Sequence, residues 1–508
     1  MVINKELIMY TKGRRINYMK LYEKLNKNYI AGEWRDGKGK TTYEVKNPYN
    51  DEVLQEIKMA NKEDIDKAYQ SADQAKKEWA KYNPFERSSI MEKAVQIIES
   101  RREELVDHLI REGGSSHLKA NVEINFVIAI TREAASFPLR MNGEIVPSLI
   151  PGKENRIYRS PLGVVGVIGP FNFPMYLAIR SVAPALAVGN GVVLKPDEQT
   201  AVTGGILLAK VFEEAGLPKG VLNVVVPNIE DIGDAFVEHP IPRLISFTGS
   251  TPVGRHIGEI CGRNIKKVAL ELGGNNPLVV LEDAKVESAV NSALFGKFMH
   301  NGQICMAINR IIVHKNIYEE FVRKFVDKAK KIKVGDPSEK ENLIGPLINR
   351  KAIDRILEQI ESAKKQGAEV VLEGKVEGNV MHPYILTGSN DVATAQNEMF
   401  GPVATIISAE SDEDAIRIAN DTPFGLSAAV HSGSPERGVE AAKQITSGMV
   451  HVNDQSVNDE PLIAFGGEKD SGLGRFGGKW SLEEFTTVQW ISVQTEERES
   501  PFHTDYLE

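Results

Sequence analysis

The chain has 508 residues, of which 42% are hydrophobic and 26% charged, and its formal net charge at pH 7 is −9. This length is too great for one hydrophobic core and predicts two or three domains of ordinary globular composition. A negative net charge argues against nucleic acid as a main partner, because phosphate binding needs a basic face. Two cysteines cannot form a disulfide framework, which indicates a reducing compartment.

The N-terminal segment MVINKELIMYTKGRRINYMK is basic but lacks the apolar core of a signal peptide. We expect residues 1–24 to form a poorly ordered extension of a cytoplasmic protein. No uncharged apolar run is long enough for a transmembrane helix, so we expect no membrane partner.

The first helix is predicted to begin at Asn61, whose side chain can cap it, with Asp64 three residues later as in a capping box. Apolar residues then recur at helical spacing on one face. These residues are Ile65, Ala68, Ala72, Ala75 and Trp79. Further amphipathic helices are predicted to start at Asn316 and Ser411.

Short β-branched runs separate the helical stretches, and most of them are apolar throughout rather than alternating. Continuous apolar runs are typical of strands buried on both faces of a parallel sheet. The runs are VVGVIG (164–169), VVLK (192–195), LNVVV (222–226), LISFTG (244–249), VALELG (268–273) and LVVLED (278–283). Alternation of such strands with helices predicts an α/β fold with doubly wound sheets.

Two other segments, residues 155–166 and 485–495, are rich in strand-forming residues of a different pattern. The stretch TTVQWISVQ could add an edge strand to a partner chain. A solvated hairpin is the alternative interpretation.

Two glycine-rich stretches are candidate phosphate sites. The literal G-x-G-x-x-G match, GLGRFG from Gly472 to Gly477, has no βαβ unit around it, so we interpret it as a loop. In FTGSTPVG an apolar strand runs into Gly249 and Ser250, and a helix is predicted after Pro252. Bare amides at a helix N-terminus can bind a pyrophosphate, although such turns are common in any α/β protein.

The stretch LKPDE sets Lys195 and Glu198 at the carboxyl end of an apolar strand, where open α/β sheets bind ligands. A lysine there can bind ribose hydroxyls, and a carboxylate can accept a hydrogen bond from the 2′-hydroxyl while repelling a 2′-phosphate. This pair therefore favours NAD over NADP, with NADP still possible. A solvated strand end with a surface ion pair is the alternative.

Glu271 and Asn172 are candidate catalytic groups. Glu271 lies between two leucines on an apolar strand, where burial would raise its pKa towards that of a general base; an exposed face of an alternating strand is the alternative. Asn172 follows the first apolar run in a turn and could donate to an oxyanion or merely cap the turn.

Cys305 follows a polar, turn-prone step, NGQIC, whereas a packing cysteine more often lies within an apolar run. As a nucleophile it would need a pKa below the ordinary value of a thiol, lowered by a helix dipole or by neighbouring charges. The histidines are scattered and no metal-ligand spacing occurs, so we predict no metal site.

These residues occur within an ordered series of motifs that resembles the NAD(P)-dependent aldehyde dehydrogenase superfamily over about residues 27–495. The motifs are PFNFP, KPDE, FTGS, LELGG, NGQIC, NEMFGPV, NDTPFGLSAAV and FGGEKDSGLGR. Any one of them is weak evidence, but eight in order at family-like spacing are highly specific. Phe171 departs from the pattern, because many members have tryptophan there.

The resemblance implies a role for each matching residue. Cys305 would be the nucleophile, Glu271 the general base, and Asn172 an oxyanion donor together with the Cys305 amide. The implied cofactor-binding residues are Ile168, Pro170, Lys195, Glu198, Gly249, Ser250, Glu398 and Phe400.

The resemblance also implies a domain organisation: a coenzyme-binding domain (25–143 and 163–275), a catalytic domain (276–475) and a strand-built oligomerisation arm (144–162 and 476–508). The arm implies a homodimer or homotetramer. The implied reaction converts an aldehyde, NAD⁺ and water to a carboxylic acid and NADH.

The motifs look most like those of the benzaldehyde and vanillin dehydrogenase branch, which implies a flat, apolar substrate slot. The residues expected to line it are Phe171, Tyr176, Arg180, Phe298, Met306 and Phe465. Each is also an ordinary core candidate. A broad aliphatic range stays open, and a betaine aldehyde is less favoured because no aromatic cage can be assembled. The presence of Glu271 disfavours a coenzyme A-dependent enzyme, and the joint presence of nucleophile, base and oxyanion donor disfavours a non-catalytic protein.

Overall fold

The computed structural model describes residues 10–11, 14–15 and 21–498. Strands and helices alternate along most of this part of the chain. The strands are β1 (Tyr10–Thr11), β2 (Arg14–Arg15), β3 (Asn28–Ile30), β4 (Glu33–Arg35), β5 (Thr42–Lys46), β6 (Val53–Lys58), β7 (Glu144–Val146), β8 (Lys153–Pro161), β9 (Val164–Ile168), β10 (Gly191–Lys195), β11 (Leu222–Val224), β12 (Leu244–Thr248), β13 (Lys267–Glu271), β14 (Asn276–Val280), β15 (Ile308–His314), β16 (Glu369–Leu372), β17 (Val376–Glu377), β18 (Val380–Met381), β19 (Tyr384–Thr387), β20 (Val403–Ala409), β21 (Phe424–Gly425), β22 (Ser427–His431), β23 (Met449–Val452), β24 (Glu468–Lys469), β25 (Gly472–Leu473) and β26 (Thr486–Gln494).

The helices cover the faces of the sheets. They are α1 (Lys62–Trp79), α2 (Pro84–Ser100), α3 (Arg102–Gly113), α4 (His117–Ser136), α5 (Pro174–Ala187), α6 (Leu207–Glu214), α7 (Ile229–Ile232), α8 (Ala235–Glu238), α9 (Thr251–Arg263), α10 (Val286–Phe298), α11 (Lys315–Ala329), α12 (Arg350–Lys365), α13 (Ala393–Gln396), α14 (Asp412–Asn420), α15 (Pro435–Ala442) and α16 (Gly478–Glu484).

The first sheet has eight strands in the order β25-β13-β12-β9-β10-β11-β3-β4. The five central strands are parallel, and the outer pairings are antiparallel. Strand β9 lies between β10 and β12. The strands that follow it in the chain are added first on one side, as β10 and β11, and then on the other side, as β12 and β13. This reversal creates a switch point at the carboxyl end of β9. Two separate apolar clusters are built partly from residues of these strands.

The second sheet has seven strands in the order β16-β19-β20-β15-β14-β22-β23, all parallel except β16. It too contributes to two apolar clusters. The predicted α/β class with two doubly wound, mainly parallel sheets is confirmed. The connection from β13 to β14 is only Leu272–Asn275, so the carboxyl end of the first sheet meets the amino end of the second.

Local signals explain how the helices begin. Asn61 caps α1 through a complete capping box with Asp64, and Ser411 caps α14, as predicted. The predicted start at Asn316 is displaced, because the ring of His314 accepts from the Asn316 amide and caps α11 one residue earlier. Helix α9 likewise begins at Thr251, before Pro252 rather than after it.

The strand β25 carries the glycine-rich match and pairs antiparallel with β13 at the edge of the first sheet. The φ values of Gly472, Gly474 and Gly477 are 150°, 91° and 86°. Glycine adopts such positive φ values without the strain that a Cβ would cause, so the backbone conformation accounts for these glycines. The interpretation as a loop holds for residues 474–477, whereas Gly472 and Leu473 form the short strand β25, which pairs antiparallel and so is no part of a βαβ dinucleotide unit. The predicted domain division puts these residues in the catalytic domain, although β25 pairs in the first sheet.

A third sheet, in the order β26-β8-β7, stands apart from the other two. Strand β26 pairs with β8 along its whole length, from Thr486 to Gln494. Its side chains are largely exposed, with Val488 and Trp490 at 57% and 63% relative exposure. Both outer strands of this sheet have a free edge among the described residues.

The extension predicted over residues 1–24 lies mostly outside the described residues. Within the described part of the chain, no helix combines the length and apolar character needed to cross a bilayer.

Candidate active site

The predicted polar residues gather at the carboxyl edge of the first sheet, around its switch point. Each follows a different parallel strand: Lys195 ends β10, Glu271 ends β13, and Gly249 follows β12. The residues that the strand ends and the turns after them bring to this edge are Ile168, Pro170, Asn172, Lys195, Glu198, Gly249, Ser250 and Glu271. This edge is where ligands bind in open α/β sheets.

The end of β12 forms the turn predicted for a phosphate. Ser250 is the N-cap of α9, yet its side chain makes no capping hydrogen bond to the helix. The first amides of a helix without such a cap are available to an anion. A larger residue would not fit at Gly249, because a Cβ there would lie 2.4 Å from the ring of Phe247.

Asn172 joins this edge to the segment that carries Cys305. It is only 4% exposed, and its Nδ2 donates to the carbonyl of Gln303 over 2.9 Å. An amide nitrogen has two hydrogens, so a second one is available for another acceptor. Asn172, the predicted oxyanion donor, is therefore hydrogen-bonded to a residue that lies two positions before Cys305, the predicted nucleophile.

The loop before Cys305 has an unusual backbone, which its hydrogen bonds hold. His300, Asn301 and Gly302 have φ values of 47°, 60° and 72° in succession. The Asn301 side chain offsets part of the conformational cost by accepting from the Gly345 amide at 2.9 Å and donating to the Pro346 carbonyl at 2.6 Å. The predicted turn before the cysteine is confirmed.

The backbone of Cys305 is equally well fixed. Asn276 Nδ2 donates to the Cys305 carbonyl over 2.7 Å. A Cβ on Gly274 would lie 2.4 Å from the same oxygen, so only glycine fits at that position.

Cys305 is a partly exposed residue that forms no disulfide, although its thiol lies in the buried part of the side chain. Burial, and after it the charge of Glu271, raise the pKa of this thiol to about 12, while the Arg180 guanidinium opposes the rise. The expected lowering of this pKa by a helix dipole or by neighbouring charges is wrong, because Cys305 lies in a turn before β15 and begins no helix, and because burial outweighs the charge of Arg180.

Glu271 is buried at the end of β13, with 2% exposure. Neither Oε1 nor Oε2 has a hydrogen-bond partner within the described residues. Burial raises its pKa to about 8, against the opposing charges of Arg180 and Arg475. The predicted burial and raised pKa are confirmed, and the alternative of an exposed strand face is wrong.

Glu398 and Phe400 approach the same junction from the turn before β20. Glu398 Oε1 accepts from the Gly274 amide over 3.0 Å, and burial raises the Glu398 pKa to about 7. The ring of Phe400 meets that of Phe171 edge-on at 5.9 Å. Phe400 thus contacts the loop that carries Asn172, and Glu398 contacts the connection between β13 and β14.

Several predicted substrate residues also come together. Arg180 is buried, with 2% exposure, and its guanidinium lies 3.9 Å from the centre of the Phe465 ring. Tyr176 and Met306 belong to the same apolar cluster as Phe465, and the partly buried Cys305 packs against that cluster. Phe298 is separate, because its ring stacks on Phe325 at 5.9 Å within an apolar cluster of the second sheet.

Asp459 lies beside two of these residues and was not predicted from the sequence. Its carboxylate accepts from the Tyr176 hydroxyl and from Arg180 Nη1, the latter over 3.2 Å. No motif marks it, since it is one of several acids in a loop six residues before FGGEKDSGLGR. Only its tertiary contacts identify it.

Within the described residues, no cluster of His, Cys, Asp or Glu side chains is arranged to hold a metal ion.

Comparison with known proteins agrees with this geometry. The family model described as "Aldehyde dehydrogenase family" matches residues 34–491 of this chain. The chain therefore belongs to the aldehyde dehydrogenase family, as the motifs predicted.

Individual relatives match over nearly their whole length. A benzaldehyde dehydrogenase of Bacillus subtilis is 52% identical over 482 residues, covering 95% of this chain and 99% of the relative. A vanillin dehydrogenase of Corynebacterium glutamicum is 51% identical, covering 92% of this chain and 97% of the relative. The crystal structure of an NAD-dependent benzaldehyde dehydrogenase from C. glutamicum superposes with a TM-score of 0.86 at 47% identity, covering 94% of this chain and 99% of that one.

Proposed function

We propose that this protein oxidises aromatic aldehydes to carboxylic acids with NAD⁺ and water, using Cys305 as nucleophile and Glu271 as general base. The observation that carries the proposal is the buried, unpartnered carboxyl of Glu271, whose charge acts on the Cys305 thiol. An unpartnered buried carboxyl costs stability, so its position calls for a functional reason. The aromatic substrate class follows from the benzaldehyde and vanillin dehydrogenase relatives.

The residues at the edge of the first sheet fit NAD. The uncapped first turn of α9 would receive the pyrophosphate, and Lys195 and Glu198 the adenosine ribose. Ile168 and Pro170 would form the floor, with Glu398 and Phe400 at the nicotinamide end. The Glu198 carboxylate disfavours a 2′-phosphate by charge repulsion, which supports NAD over NADP. Bound NAD⁺ would supply the acceptor for the hydride that the thiohemiacetal on Cys305 loses when it becomes the thioester.

In the first half of the reaction, the sulfur of Cys305 attacks the aldehyde carbon. Because burial raises the pKa of this thiol, its proton must pass to water as the sulfur–carbon bond forms, since the thiolate is the nucleophile. The free Nδ2 hydrogen of Asn172 and the amide of Cys305 would donate to the oxyanion. Each such donor contributes about 3 kcal/mol to transition-state stabilisation.

In the second half, water replaces the sulfur. Glu271 takes a proton from the water molecule, and the oxygen of that water attacks the thioester carbon. The carbon–sulfur bond then breaks, the carboxylic acid leaves, and the proton returns to the sulfur to re-form the thiol. An acylating enzyme would deliver the acyl group to coenzyme A and needs no such base. The position of Glu271 therefore supports hydrolysis.

The substrate chamber is proposed to be walled by flat apolar groups. Phe465 and Phe476 pair through a β-bridge and both face the Arg180 guanidinium. Phe173 meets Tyr176 edge-on at 6.4 Å. Phe171 and Met306 complete our proposed lining, and Phe298 is its weakest member because its ring packs in the core of the second sheet.

Three further expectations stay proposals. The division into a coenzyme-binding domain, a catalytic domain and an arm is supported by the separate sheets. A homodimer or homotetramer is supported by the exposed apolar residues and free edges of β26 and β7, which a second copy would cover. A cytoplasmic location is supported by two cysteines that are both unpaired.

The test is NADH formation from a panel of benzaldehyde, vanillin, hexanal, betaine aldehyde and succinic semialdehyde, without coenzyme A. We expect turnover of the aromatic aldehydes by the wild type and none by Cys305→Ser. Cys261→Ser is the matched control, because Cys261 is buried behind the first sheet, and it should retain activity. Turnover confined to the non-aromatic aldehydes would contradict the substrate class, and full activity of Cys305→Ser would contradict the mechanism.

A further inference from the structure

Helix α5 begins directly after the turn that carries the proposed oxyanion donor, and its own N-cap supplies no capping group. The N-cap residue is Phe173, which makes no side-chain capping hydrogen bond. Pro174, the first residue of the helix, has no amide hydrogen, and the Leu177 amide already donates to the Phe173 carbonyl over 2.8 Å. The amides of Met175 and Tyr176 therefore need an acceptor from outside the helix.

The carboxylate of Glu123, on the neighbouring helix α4, is that acceptor. Its Oε1 accepts from the Met175 amide over 3.0 Å and from the Tyr176 amide over 3.1 Å. A negative charge is favourable at this end of a helix, because the helix dipole is positive there. Glu123 thus acts as the cap of α5 from a different helix, and it ties the start of α5 to α4.

Lys119 holds the other oxygen of this carboxylate and also contacts the turn. It lies one turn before Glu123 on α4, and its Nζ donates to Glu123 Oε2 over 2.5 Å. The same Nζ lies 4.3 Å from the centre of the Phe173 ring, and the ring of His300 meets Phe173 edge-on at 5.6 Å. The residue that follows Asn172 is therefore held between α4 and the loop before the nucleophile.

Stability alone does not explain why this ion pair is buried. Both side chains are fully buried, and apolar side chains of similar size are often as stable as a buried ion pair or more stable, because the two charges lose their hydration. Apolar side chains cannot, however, accept hydrogen bonds from the two amides. What the pair adds is a charged acceptor at the point where the turn of Asn172 joins α5.

An oxyanion donor works only when its N–H points at the place where the charge develops. One Nδ2 hydrogen of Asn172 is taken by the Gln303 carbonyl, so the direction of the second depends on where the backbone of the turn lies. We propose that Glu123 is a positioning residue, which together with Lys119 fixes the start of α5 and thereby aims the Asn172 amide at the oxyanion. This inference rests on the role of Asn172 in the proposed function.

The test is a double-mutant cycle, measured as kcat/KM for benzaldehyde at saturating NAD⁺. Glu123→Gln keeps the shape of the side chain and removes its charge. We expect it to lower kcat/KM by about tenfold or more in the wild type, since small displacements near the reacting atoms are costly. In Asn172→Ala the same change should cost less than about threefold, because two residues that act as one unit are not additive. An equal loss in both backgrounds, or no loss in the wild type, would overturn the proposal.

Glu112→Gln is the matched control. Glu112 is also buried, with 2% exposure, and accepts from the amides of Val202 and Thr203 at another helix start. Its replacement should leave kcat for benzaldehyde within a few-fold of the wild type at saturating NAD⁺. A loss in this control of the same size, with the same dependence on Asn172, would also overturn the proposal.

A second measurement separates positioning from a merely structural role. The variant Lys119→Met/Glu123→Leu removes both charges and keeps the apolar volume, so it should regain most of the Tm that Lys119→Met loses. We expect its kcat/KM to stay about tenfold or more below the wild type, because leucine cannot accept from the two amides, while its KM for NAD⁺ changes little. Recovery of kcat/KM together with Tm would overturn the proposal. Should Glu123→Gln not fold, this variant with and without Asn172→Ala completes the same cycle.

Failure of the two proposals can be distinguished. If the wild type does not oxidise benzaldehyde, or if Asn172→Ala alone leaves kcat/KM unchanged, the proposed function or its oxyanion step fails. If Asn172→Ala lowers kcat/KM but the effect of Glu123→Gln does not depend on Asn172, only this inference fails.

Discussion

Replacing Glu271 with glutamine removes a base whose ionisation the fold opposes. The difference between its ordinary pKa of 4.5 and its value of about 8 corresponds to about 5 kcal/mol of disfavoured ionisation. A carboxyl with this pKa is about one-tenth ionised at pH 7 and about nine-tenths ionised at pH 9. If Glu271 activates the water that hydrolyses the thioester, the steady-state rate should rise about tenfold between those two pH values.

The assay is rapid-mixing measurement of NADH from benzaldehyde at several pH values. In Glu271→Gln we expect steady-state turnover to fall by about 100-fold or more and to lose this rise with pH. Where hydrolysis becomes rate-limiting, one NADH per active site should form in a burst before the slow phase. A variant that keeps its steady-state rate within a few-fold of the wild type, with the same pH profile, would refute the assignment of Glu271 as the base.

The same substitution has a consequence for stability. Because the pKa of Glu271 is higher in the folded than in the unfolded protein, the folded state holds the proton more tightly. The resulting stabilisation is present below about pH 4.5 and is lost as the pH rises towards 8. Relative to the wild type, Glu271→Gln should therefore gain thermal stability steadily between about pH 5 and pH 8. A difference in Tm that does not change over this range would contradict the raised pKa.

Three further predictions address other parts of the site. Asn172→Ala should lower kcat/KM for benzaldehyde by about 100-fold through loss of an oxyanion donor; an effect on KM alone would contradict that role. Glu198→Ala should raise the ratio of NADP to NAD kcat/KM, because a charge that repels the 2′-phosphate is gone; an unchanged ratio would count against the ribose assignment. Lys119 and Glu123 form an ion pair at 2.5 Å with both side chains fully buried, so Lys119→Met should lower the free energy of unfolding by about 3–5 kcal/mol. Urea denaturation measures this loss, and the double variant Lys119→Met/Glu123→Leu should recover much of it.

The features predicted correctly from the sequence are those that depend on neighbours along the chain. The cap at Asn61 and the buried strand ending at Glu271 each follow from residue types a few positions apart. The carboxyl ends of parallel strands share one edge of a sheet, so recognising the strands was enough to bring Lys195 and Glu271 to the same edge.

The features that could not be predicted depend on contacts between distant segments. The raised pKa of Cys305 comes first from burial, then from the charge of Glu271, which is remote in sequence. Phe298 is the last residue of α10, and only the packed structure reveals that its ring stacks on Phe325. Asp459 bonds Tyr176 across 283 residues, and nothing in its local sequence distinguishes it from neighbouring acids.

In the proposed mechanism, Cys305 holds the substrate as a thioester. Glu271→Gln would be mixed with benzaldehyde and NAD⁺, quenched in acid, and its peptides analysed by mass spectrometry. We expect a benzoyl group on the peptide that contains Cys305, and none in the double variant Cys305→Ser/Glu271→Gln. A benzoyl group on another residue, or NADH formation with no acylated Cys305, would contradict this mechanism.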